Sequence, residues 1–327
     1  MAYLGFDTSN YRTSVACVSD SGEILFDKRI LLNVKQGERG LRQQEALFQH
    51  IGNLKVLMES YQDAQIREPV RAVAASEKPR PLEGSYMPVF TAGMTAAASA
   101  AAVLDVPCGL FSHQEGHIEA ARFETGIPRE GRFLAFHFSG GTTEAVLVDQ
   151  TPDGNRYQRV GGSKDISYGQ LLDRVGVALG MRFPAGKEMD DLVMKNARED
   201  GKDAAGSRGV ELPGIREKDG WVNLSGIESA CQRLVASEGQ GVQDALIPLL
   251  FSRIARSIEK MTGSLVDQFE PEAVLFAGGV SSSRYIRGRL QERLRGCRIC
   301  FGRPELCSDN AVGTALLMRN RRKGVAR

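Results

Sequence analysis

At 327 residues the chain is longer than most single domains, so its length predicts two lobes. It is 42% hydrophobic and 25% charged, as globular proteins are, and no apolar run is long enough to cross a membrane. The formal net charge is only +2, which excludes recognition of nucleic acid by overall charge and leaves only a local basic patch for that purpose.

The cysteines and the first residues indicate a cytoplasmic protein. Six cysteines are spread from Cys17 to Cys307, rather than grouped as in small disulfide-bonded domains. Cys297 and Cys300 form a single C-x-x-C, but they alternate as strand residues do, which favours a strand over a zinc site. Residues 1–10 lack a basic segment, so we expect no secretion signal.

Taken in chain order, the first predicted element is a hairpin. Residues 3–6 are apolar, Asp7-Thr8-Ser9-Asn10 has the composition of a turn, and residues 13–18 form a second strand. Fifteen residues from Leu4 overlay without a gap on fifteen residues from Leu134, with five identities. This internal repeat of strand, polar turn and strand indicates two lobes built on one plan.

The next segments predict a helix and a strand. Residues 45–61 carry apolar residues at helical spacing, and His50 within them is predicted to be a surface or packing residue. Residues 70–75 are typical of a buried strand, which is followed by a proline-containing loop with Lys78 and Arg80. These two cations either face a phosphate at the carboxyl end of the strand or are solvated.

Two histidines one helical turn apart form the first candidate site. Ser112 is expected to cap a helix that begins at His113, and His117 lies on the same face of that helix. Two imidazoles at this spacing can bind one metal ion, although an ordinary helix face is the alternative. Gln114 occupies the place of the glutamate base of zinc peptidases, so peptidase chemistry is not expected.

Glycine turns form the second candidate site. Ser139-Gly140-Gly141-Thr142 separates a strand over 132–138 from another over 143–148, and Gly278-Gly279 follows a strand over 273–276. Backbone N–H groups in such turns approach an anion without hindrance from a Cβ atom. For the first turn, a plain hairpin is the alternative.

The remaining segments add acidic residues. Asp165 and Asp173 lie two turns apart in a predicted helix over 164–175, as residues that face a ligand hydroxyl would. Residues 187–243 are charged and contain many glycines, and they predict a partly helical lid or insertion. Asp309 precedes a helix over 311–319, and it is either the capping carboxylate of that helix or part of a site.

With these segments in order, the chain resembles the catalytic subunit of the threonylcarbamoyladenosine synthase family (TsaD, formerly called glycoprotease). The resemblance covers nearly the whole chain. It rests on the blocks SHQEGH, SGGTTE, Leu172-Asp173-Arg174, Phe183-Pro184-Ala185-Gly186, Leu224-Ser225-Gly226, Ala277-Gly278-Gly279-Val280 and LCSDNA.

The resemblance implies an α/β fold of the actin-like ATPase type, shared with sugar kinases and heat-shock ATPases, in which two duplicated lobes surround a nucleotide cleft. We expect the first lobe at residues 1–112, with a C-terminal helix over 310–327 packing back on it. The second lobe is expected at residues 113–309, with the metal and nucleotide site and the insertion at 187–243.

The resemblance also assigns roles to single residues. It implies that His113, His117 and Asp309 bind one divalent metal ion, iron or zinc. It implies catalytic roles for Asp7, Ser9, Arg12 and Glu144. It further implies that an adenine nucleotide, ATP or an acyl-adenylate, is bound by Phe138, Ser139, Gly140, Gly141, Thr142, Asp173, Gly186, Gly278, Gly279 and Ser283.

The implied reaction transfers a threonylcarbamoyl group from its adenylate to the exocyclic amine of a tRNA adenosine. The implied partners are the adenylate substrate, tRNA, a smaller subunit of the same fold and an ATPase subunit, with no membrane.

Three positions depart from the family's usual residues. Thr142 replaces a histidine, Ser283 replaces an asparagine, and Arg12 stands where the family has an acidic residue. They indicate a divergent paralogue with the same metal and an altered substrate, and they keep open the alternative of a nucleotide-binding regulatory or partner subunit without turnover.

Overall fold

The computed structural model describes residues 1–9, 11–34, 41–151, 154–200 and 209–325, with only the backbone described for residues 196–200 and 325. The chain divides into two compact units. Unit 1 consists of Met1–Glu124 together with Glu305–Arg327, and unit 2 consists of Thr125–Pro304. Unit 2 is therefore continuous in sequence, whereas unit 1 is assembled from both ends of the chain.

Unit 1 contains a five-stranded mixed sheet in the order β3-β2-β1-β4-β5. Its elements are β1 (Ala2–Asp7), β2 (Arg12–Ser19), β3 (Ile24–Leu31), α1 (Gln43–Asp63), β4 (Val70–Lys78), α2 (Phe90–Leu104), β5 (Cys108–Ser112), α3 (His113–Arg122) and α9 (Val312–Val325). Along β1, Tyr3 packs in one buried cluster with residues of α9, while Leu4 and Phe6 pack in another with residues of α1 and α2. This alternation follows from the period of two in a strand, and it shows that the sheet is covered on both faces.

Unit 2 contains a seven-stranded sheet in the order β12-β11-β6-β7-β8-β10-β9. Its elements are β6 (Gly131–Phe138), β7 (Thr143–Thr151), β8 (Gly154–Ser163), α4 (Tyr168–Ala178), α5 (Gly186–Asp200), β9 (Glu217–Lys218), β10 (Trp221–Val222), α6 (Ser225–Glu238), α7 (Gln243–Phe269), β11 (Ala273–Ala277), α8 (Arg284–Arg293) and β12 (Ile299–Phe301). One large core cluster joins the sheet to its helices, and Phe136, Phe138 and Phe276 are in contact within it.

The repeat expected from the sequence is present in the strand pairing of the two units. β1 pairs antiparallel with β2 and parallel with β4, and β6 pairs antiparallel with β7 and parallel with β11. Leu4 faces Cys17 in the first hairpin, and Leu134 faces Leu147 in the second. These are equivalent positions of the gapless overlay, so both hairpins have the same register and the predicted repeat is confirmed.

The units differ from the expected lobes at both boundaries. The sequence placed the first boundary after residue 112 and the second after residue 309, whereas unit 1 extends to Glu124 and resumes at Glu305. The reason is that α3 packs against α9, with Ala120 and Leu316 in one buried cluster. The histidine helix and Asp309 therefore belong to unit 1, not to the second unit.

The segment predicted to be a lid or insertion is part of the body of unit 2. The described parts of residues 187–243 form most of α5, all of β9, β10 and α6, and residues 201–208 lie outside the described residues. β10 pairs parallel with β8, and Val222 and Leu224 are in the main core cluster. Charged and apolar residues are interspersed along the segment, and apolar residues such as Val193, Ile227 and Cys231 are buried.

Candidate metal centre and glycine loops

The histidine helix begins where the sequence predicted, because Ser112 caps it. The amide of Glu115 donates to Oγ of Ser112 at 3.2 Å, and the amide of Ser112 donates to Oε2 of Glu115 at 2.7 Å. This reciprocal capping box satisfies two backbone donors and fixes the first turn of α3. It holds His113 and His117 on one face, with their ring centroids 4.3 Å apart.

Asp309 lies beside both imidazoles. Its Oδ1 is 3.1 Å from Nε2 of His117 and 3.5 Å from Nε2 of His113. The capping role is taken by the next residue, since Oδ1 of Asn310 accepts from the amide of Gly313 at 3.3 Å. The sequence allowed Asp309 to be either a helix cap or part of a site. The structure supports the second interpretation.

Glycines allow α3 and α9 to approach closely enough for this arrangement. A Cβ atom placed at Gly313 would overlap the carbonyl oxygen of Gly116, and one at Gly116 would lie 3.1 Å from Oγ1 of Thr314. Gly116 stands between the two histidines in sequence, and Gly313, in the first turn of α9, follows Asp309 by four residues. The close helix contact thus sets the distance between the imidazoles and the carboxylate.

Asp7, at the end of β1, orients His113. Its Oδ1 is 3.0 Å from Nδ1 of His113, and its Oδ2 accepts from Oγ of Ser9 at 2.7 Å. Because Nδ1 is occupied by a fully buried carboxylate, Nε2 of the same ring is left to face Asp309. A carboxylate behind a histidine is the usual support of a metal-binding imidazole.

The charges of this cluster hold one another in place. Burial disfavours the imidazolium of His113, but Asp7 and Asp309 outweigh that effect and raise its pKa to about 10. Burial would also favour the neutral acid of Asp309, yet hydrogen bonds from His113 and His117 keep the pKa of Asp309 well below its usual value. The imidazolium of His113 and the carboxylates of Asp7 and Asp309 thus stabilise one another.

The donor set fits a divalent metal ion. His113, His117 and Asp309 each offer one ligand atom, and these atoms lie within 4.8 Å of one another. Two imidazole nitrogens and one carboxylate oxygen are ligands that zinc and ferrous iron both accept, and they leave further coordination positions open.

Arg12 contacts the residue next to Asp309. Its Nη1 donates to Oγ of Ser308 at 2.7 Å, and Nη1 of Arg29 donates to the same oxygen at 3.0 Å. Arg29 is also paired with Asp27, whereas Arg12 has no carboxylate within ion-pair distance among the described residues. Sequence reasoning missed Arg29 and Ser308, although Ser308 directly precedes Asp309.

In unit 2 the first glycine loop closes the hairpin of β6 and β7. The amide of Ser139 donates to the carbonyl of Thr142 at 2.8 Å, and the amide of Thr142 donates to Oγ of Ser139 at 3.1 Å. Phe138 is fully buried in the core, so only its backbone is near the loop. A Cβ atom at Gly140 or Gly141 would meet no atom within 4 Å, and both glycines are exposed.

The two glycine loops lie next to each other. Gly278 has a φ of +90°, and a Cβ atom there would collide with the carbonyl oxygen of Phe138. Only glycine fits this position, because both the backbone conformation and the space exclude a side chain. Gly279 is open like Gly140, so the neighbouring loops both present unhindered backbone.

The start of α4 supports the first loop. Ser167 caps α4, and its hydroxyl donates to the carbonyl of Gly140 at 2.8 Å. The helix therefore begins at Tyr168, later than the sequence predicted, and Asp165 lies outside it. The carboxylate of Asp165 accepts from the amides of Leu224 and Ser225, so the prediction that it faces a ligand is wrong and Asp165 instead holds the start of α6.

Asp173, Gly186 and Ser283 are linked through α5. Oδ1 of Asp173 accepts from the amide of Ala185 at 2.9 Å, and burial raises the pKa of Asp173 despite this bond. One turn into α5, Asp190 accepts from Oγ of Ser283 at 2.5 Å. Asp190 is buried and was missed by the sequence analysis; its spacing of four residues from Gly186 was the available signal.

Glu144 is placed differently from the other predicted catalytic residues. It lies in unit 2 on β7, is buried, and has Nε of Arg159 at 3.4 Å from its Oε1. Asp7, Ser9 and Arg12 lie in unit 1, at the end of β1 and the start of β2. Unit 1 therefore carries the cluster of His113, His117 and Asp309, and unit 2 carries the glycine loops.

The fold is that of the actin-like ATPases. The chain is similar to component A of the (R)-2-hydroxyglutaryl-CoA dehydratase of Acidaminococcus fermentans, with a TM-score of 0.55, 15% identity and 99% of both chains covered. It is similar to full-length HypF with a TM-score of 0.59 and 14% identity, over 99% of this chain and 56% of HypF. The α/β class with two repeated units, expected from the sequence, is confirmed.

The sequence matches the family described as TsaD, tRNA N6-adenosine threonylcarbamoyltransferase, over residues 30–316, and the chain belongs to this family of transferases. A relative of that name from Ligilactobacillus salivarius is 30% identical over 324 residues, which cover 94% of this chain and 88% of the relative. Since relatives carry the name of the enzyme, the alternative of a subunit without turnover is not favoured. Among the described residues, no helix has the length and apolarity needed to cross a membrane.

Proposed function

We propose that this protein transfers a threonylcarbamoyl group from its adenylate to the exocyclic amine of an adenosine in tRNA. In this reaction the adenosine nitrogen forms a bond to the carbamoyl carbon, the bond from that carbon to the phosphate oxygen breaks, and AMP and the amine proton leave. The observation that carries the proposal is the cluster of His113, His117 and Asp309 in a chain of this transferase family.

We propose that these three residues hold one divalent ion, iron or zinc. When bound, the ion would polarise oxygens of the carbamoyl-adenylate and neutralise developing negative charge. Asp7 keeps Nδ1 of His113 occupied and its Nε2 available, and Ser9 keeps Asp7 oriented. Metal analysis of the purified chain, which should give about one iron or zinc per chain, tests this assignment.

Unit 2 is proposed to hold the adenine nucleotide. The open backbone at Gly140, Gly141 and Gly279 supports binding of phosphate oxygens by N–H groups, and those groups would also stabilise charge that develops during transfer. Asp173 is a half-buried carboxylate suited to hydrogen bonds with ribose hydroxyls, whereas Asp190 accepts from Ser283 and from the amide of Arg284 and so holds the start of α8. Gly186, Thr142 and Ser283 belong to the same proposed site.

The predicted catalytic roles of Arg12 and Glu144 remain proposals. Arg12 donates to Ser308 with one nitrogen, and no carboxylate among the described residues pairs with it, which suits contact with an anionic part of the substrate. Glu144 forms an ion pair with Arg159. This contact fixes its carboxylate, as a role in positioning the substrate would require. The smaller subunit of the same fold and the ATPase subunit are likewise proposed partners, and the proposed tRNA substrate implies a cytoplasmic location.

The deciding experiment combines the purified chain, threonylcarbamoyl-adenylate and tRNA that lacks the modification. Nucleoside mass spectrometry should detect threonylcarbamoyladenosine with the wild type, and its yield should fall at least about 100-fold with His113→Ala. Gln114→Ala, on the same helix turn, is the matched control and should stay near the wild type. No product from the wild type, even with partner subunits added, would reject the proposal.

A further inference from the structure

A small cavity in unit 2 is bordered by three cations of one helix. Its volume is about 110 Å³, and α7 contributes Arg253, Arg256 and Lys260 to its lining. Gly214 and Ile215 line it as well, and a Cβ atom at Gly214 would meet nothing within 4 Å. None of these residues belongs to the glycine loops or to the metal centre.

The three cations repel one another, and no neighbouring negative charge among the described residues offsets this repulsion. Arg256 follows Arg253 by three residues and precedes Lys260 by four, so like charges occupy neighbouring positions on the surface of α7. Within the described part of the chain, no carboxylate lies at ion-pair distance from any of them. In addition, Nε of Arg253 is buried and has no hydrogen-bond partner among the described residues.

The remaining polar group of the cavity is already engaged. The hydroxyl of Ser257 donates to the carbonyl of Ile254 at 2.8 Å and lies 2.6 Å from the hydroxyl of Tyr168. The donors left for a ligand are therefore those of the two guanidinium groups and the ammonium group. A buried donor without a partner is costly in a folded protein, so this arrangement indicates an anionic ligand.

We propose that this cavity binds a single phosphate group and that, if the chain acts on tRNA as proposed above, the phosphate belongs to the tRNA backbone. A cavity of about 110 Å³ is too small for a nucleoside, since pockets for such ligands usually have about 300 Å³ or more. Guanidinium groups match the geometry of phosphate oxygens. The low net charge of the chain requires a local basic patch for any contact with RNA, and these residues provide one.

The first measurement uses inorganic phosphate and requires no catalysis. Thermal unfolding of the full chain is followed in sodium phosphate and in sodium chloride of equal ionic strength. Phosphate should raise the Tm of the wild type by about 2 °C or more above the gain it gives the double variant Arg256→Gln/Lys260→Gln, in which the glycine loops are unchanged. Arg233→Gln is the matched control, because Arg233 is an exposed arginine on α6 outside the cavity lining.

The second measurement uses a fluorescent tRNA transcript at several salt concentrations. The double variant should bind about tenfold more weakly near 0.1 M salt, and the slope of log K against log salt should decrease by about one. Arg233→Gln should retain the wild-type affinity and slope.

The outcomes separate the site from the source of its ligand. Loss of both effects in the double variant supports the proposal, and a double variant that phosphate stabilises as well as the wild type overturns it. If the phosphate effect is lost while tRNA affinity is unchanged, the tRNA backbone is rejected as the source in favour of free inorganic phosphate. A chain with both effects that modifies no tRNA would contradict the proposed transfer alone.

Discussion

Asp7 is the residue whose role is tested most directly without catalysis. It does not face the proposed ion, but its carboxylate fixes the ring of His113. We expect Asp7→Asn to lower metal affinity by about 10–100-fold, because the ring loses a charged partner while all three ligands remain. Titration against a chromogenic chelator measures this loss. Asp309→Asn should lower metal affinity more than Asp7→Asn does, and Ser9→Ala should lower it less. Equal metal affinity of Asp7→Asn and the wild type would show that Asp7 does not support His113 as a ligand.

His50 predicts a pH dependence of stability. It is fully buried, its Nδ1 lies 2.9 Å from Oγ1 of Thr13, and burial lowers its pKa to about 4. Since its unfolded pKa is near 6.5, the unfolded chain binds more protons between these values. The corresponding stability is present above pH 6.5 and is lost as the pH falls toward 4, by about 3 kcal/mol at most.

The measurement for His50 is the midpoint of urea unfolding between pH 7.5 and pH 5. His50→Asn retains a side chain that can hydrogen-bond to Thr13 but cannot titrate. We expect the variant to lose less stability than the wild type over this range. An identical loss in both proteins would assign the pH dependence to other groups.

At the scale of elements, the contact of α3 with α9 governs the metal centre. Gly313→Ala should destabilise the chain by about 1–3 kcal/mol, because the new methyl group would press against the backbone of Gly116. Metal affinity should fall as well, since Asp309 would be displaced from the histidines. Tm and metal titration measure both effects.

Gly324→Ala is the matched control for this contact. Gly324 lies in the same helix, and a Cβ atom there would meet nothing within 4 Å. Alanine should leave metal binding unchanged and stabilise α9 by up to about 1 kcal/mol. If both substitutions had the same effect, close packing of the helices would not explain the geometry of the site.

The elements that sequence predicts well are those with local causes. The two hairpins, the cap at Ser112 and the shared face of His113 and His117 follow from neighbouring residues, and the structure contains them. Asp309 could be interpreted either as a helix cap or as a site residue. Capping can be predicted from neighbouring residues, whereas the contact of Asp309 with His117 spans 192 residues and cannot. Arg29 and Asp190 were missed for the same reason, since only the folded chain brings them to Ser308 and Ser283.

The boundary of the units was also beyond local reasoning. Nothing in the sequence near residue 113 shows that α3 will pack on a helix 190 residues later, and the glycines that permit this contact resemble glycines elsewhere in helices. The charged segment after Gly186 is partly helical, as predicted, but the burial of residues such as Val222 in the core of unit 2 was not predicted, because these residues are interspersed with charged ones.

At the scale of the whole molecule, the two units should differ in their ability to fold alone. The main core cluster lies entirely within Thr125–Pro304, so this fragment should unfold cooperatively in urea. The fragment 1–124 lacks Leu306, Val312 and Leu316 of its own core, and it should be unfolded or aggregated and bind no metal tightly. Circular dichroism and metal titration of both fragments test this; a folded 1–124 fragment with full metal affinity would contradict it.

The interruption of unit 1 has a consequence for synthesis on the ribosome. Asp309 is translated 192 residues after His117, a delay of about 10–40 s at usual elongation rates. During that time the nascent chain carries both imidazoles without their carboxylate, and the core of the inserted unit is completed only shortly before Asp309 is added. The ion is therefore expected to enter only finished chains, so products of premature termination would be released metal-free and exposed to proteolysis.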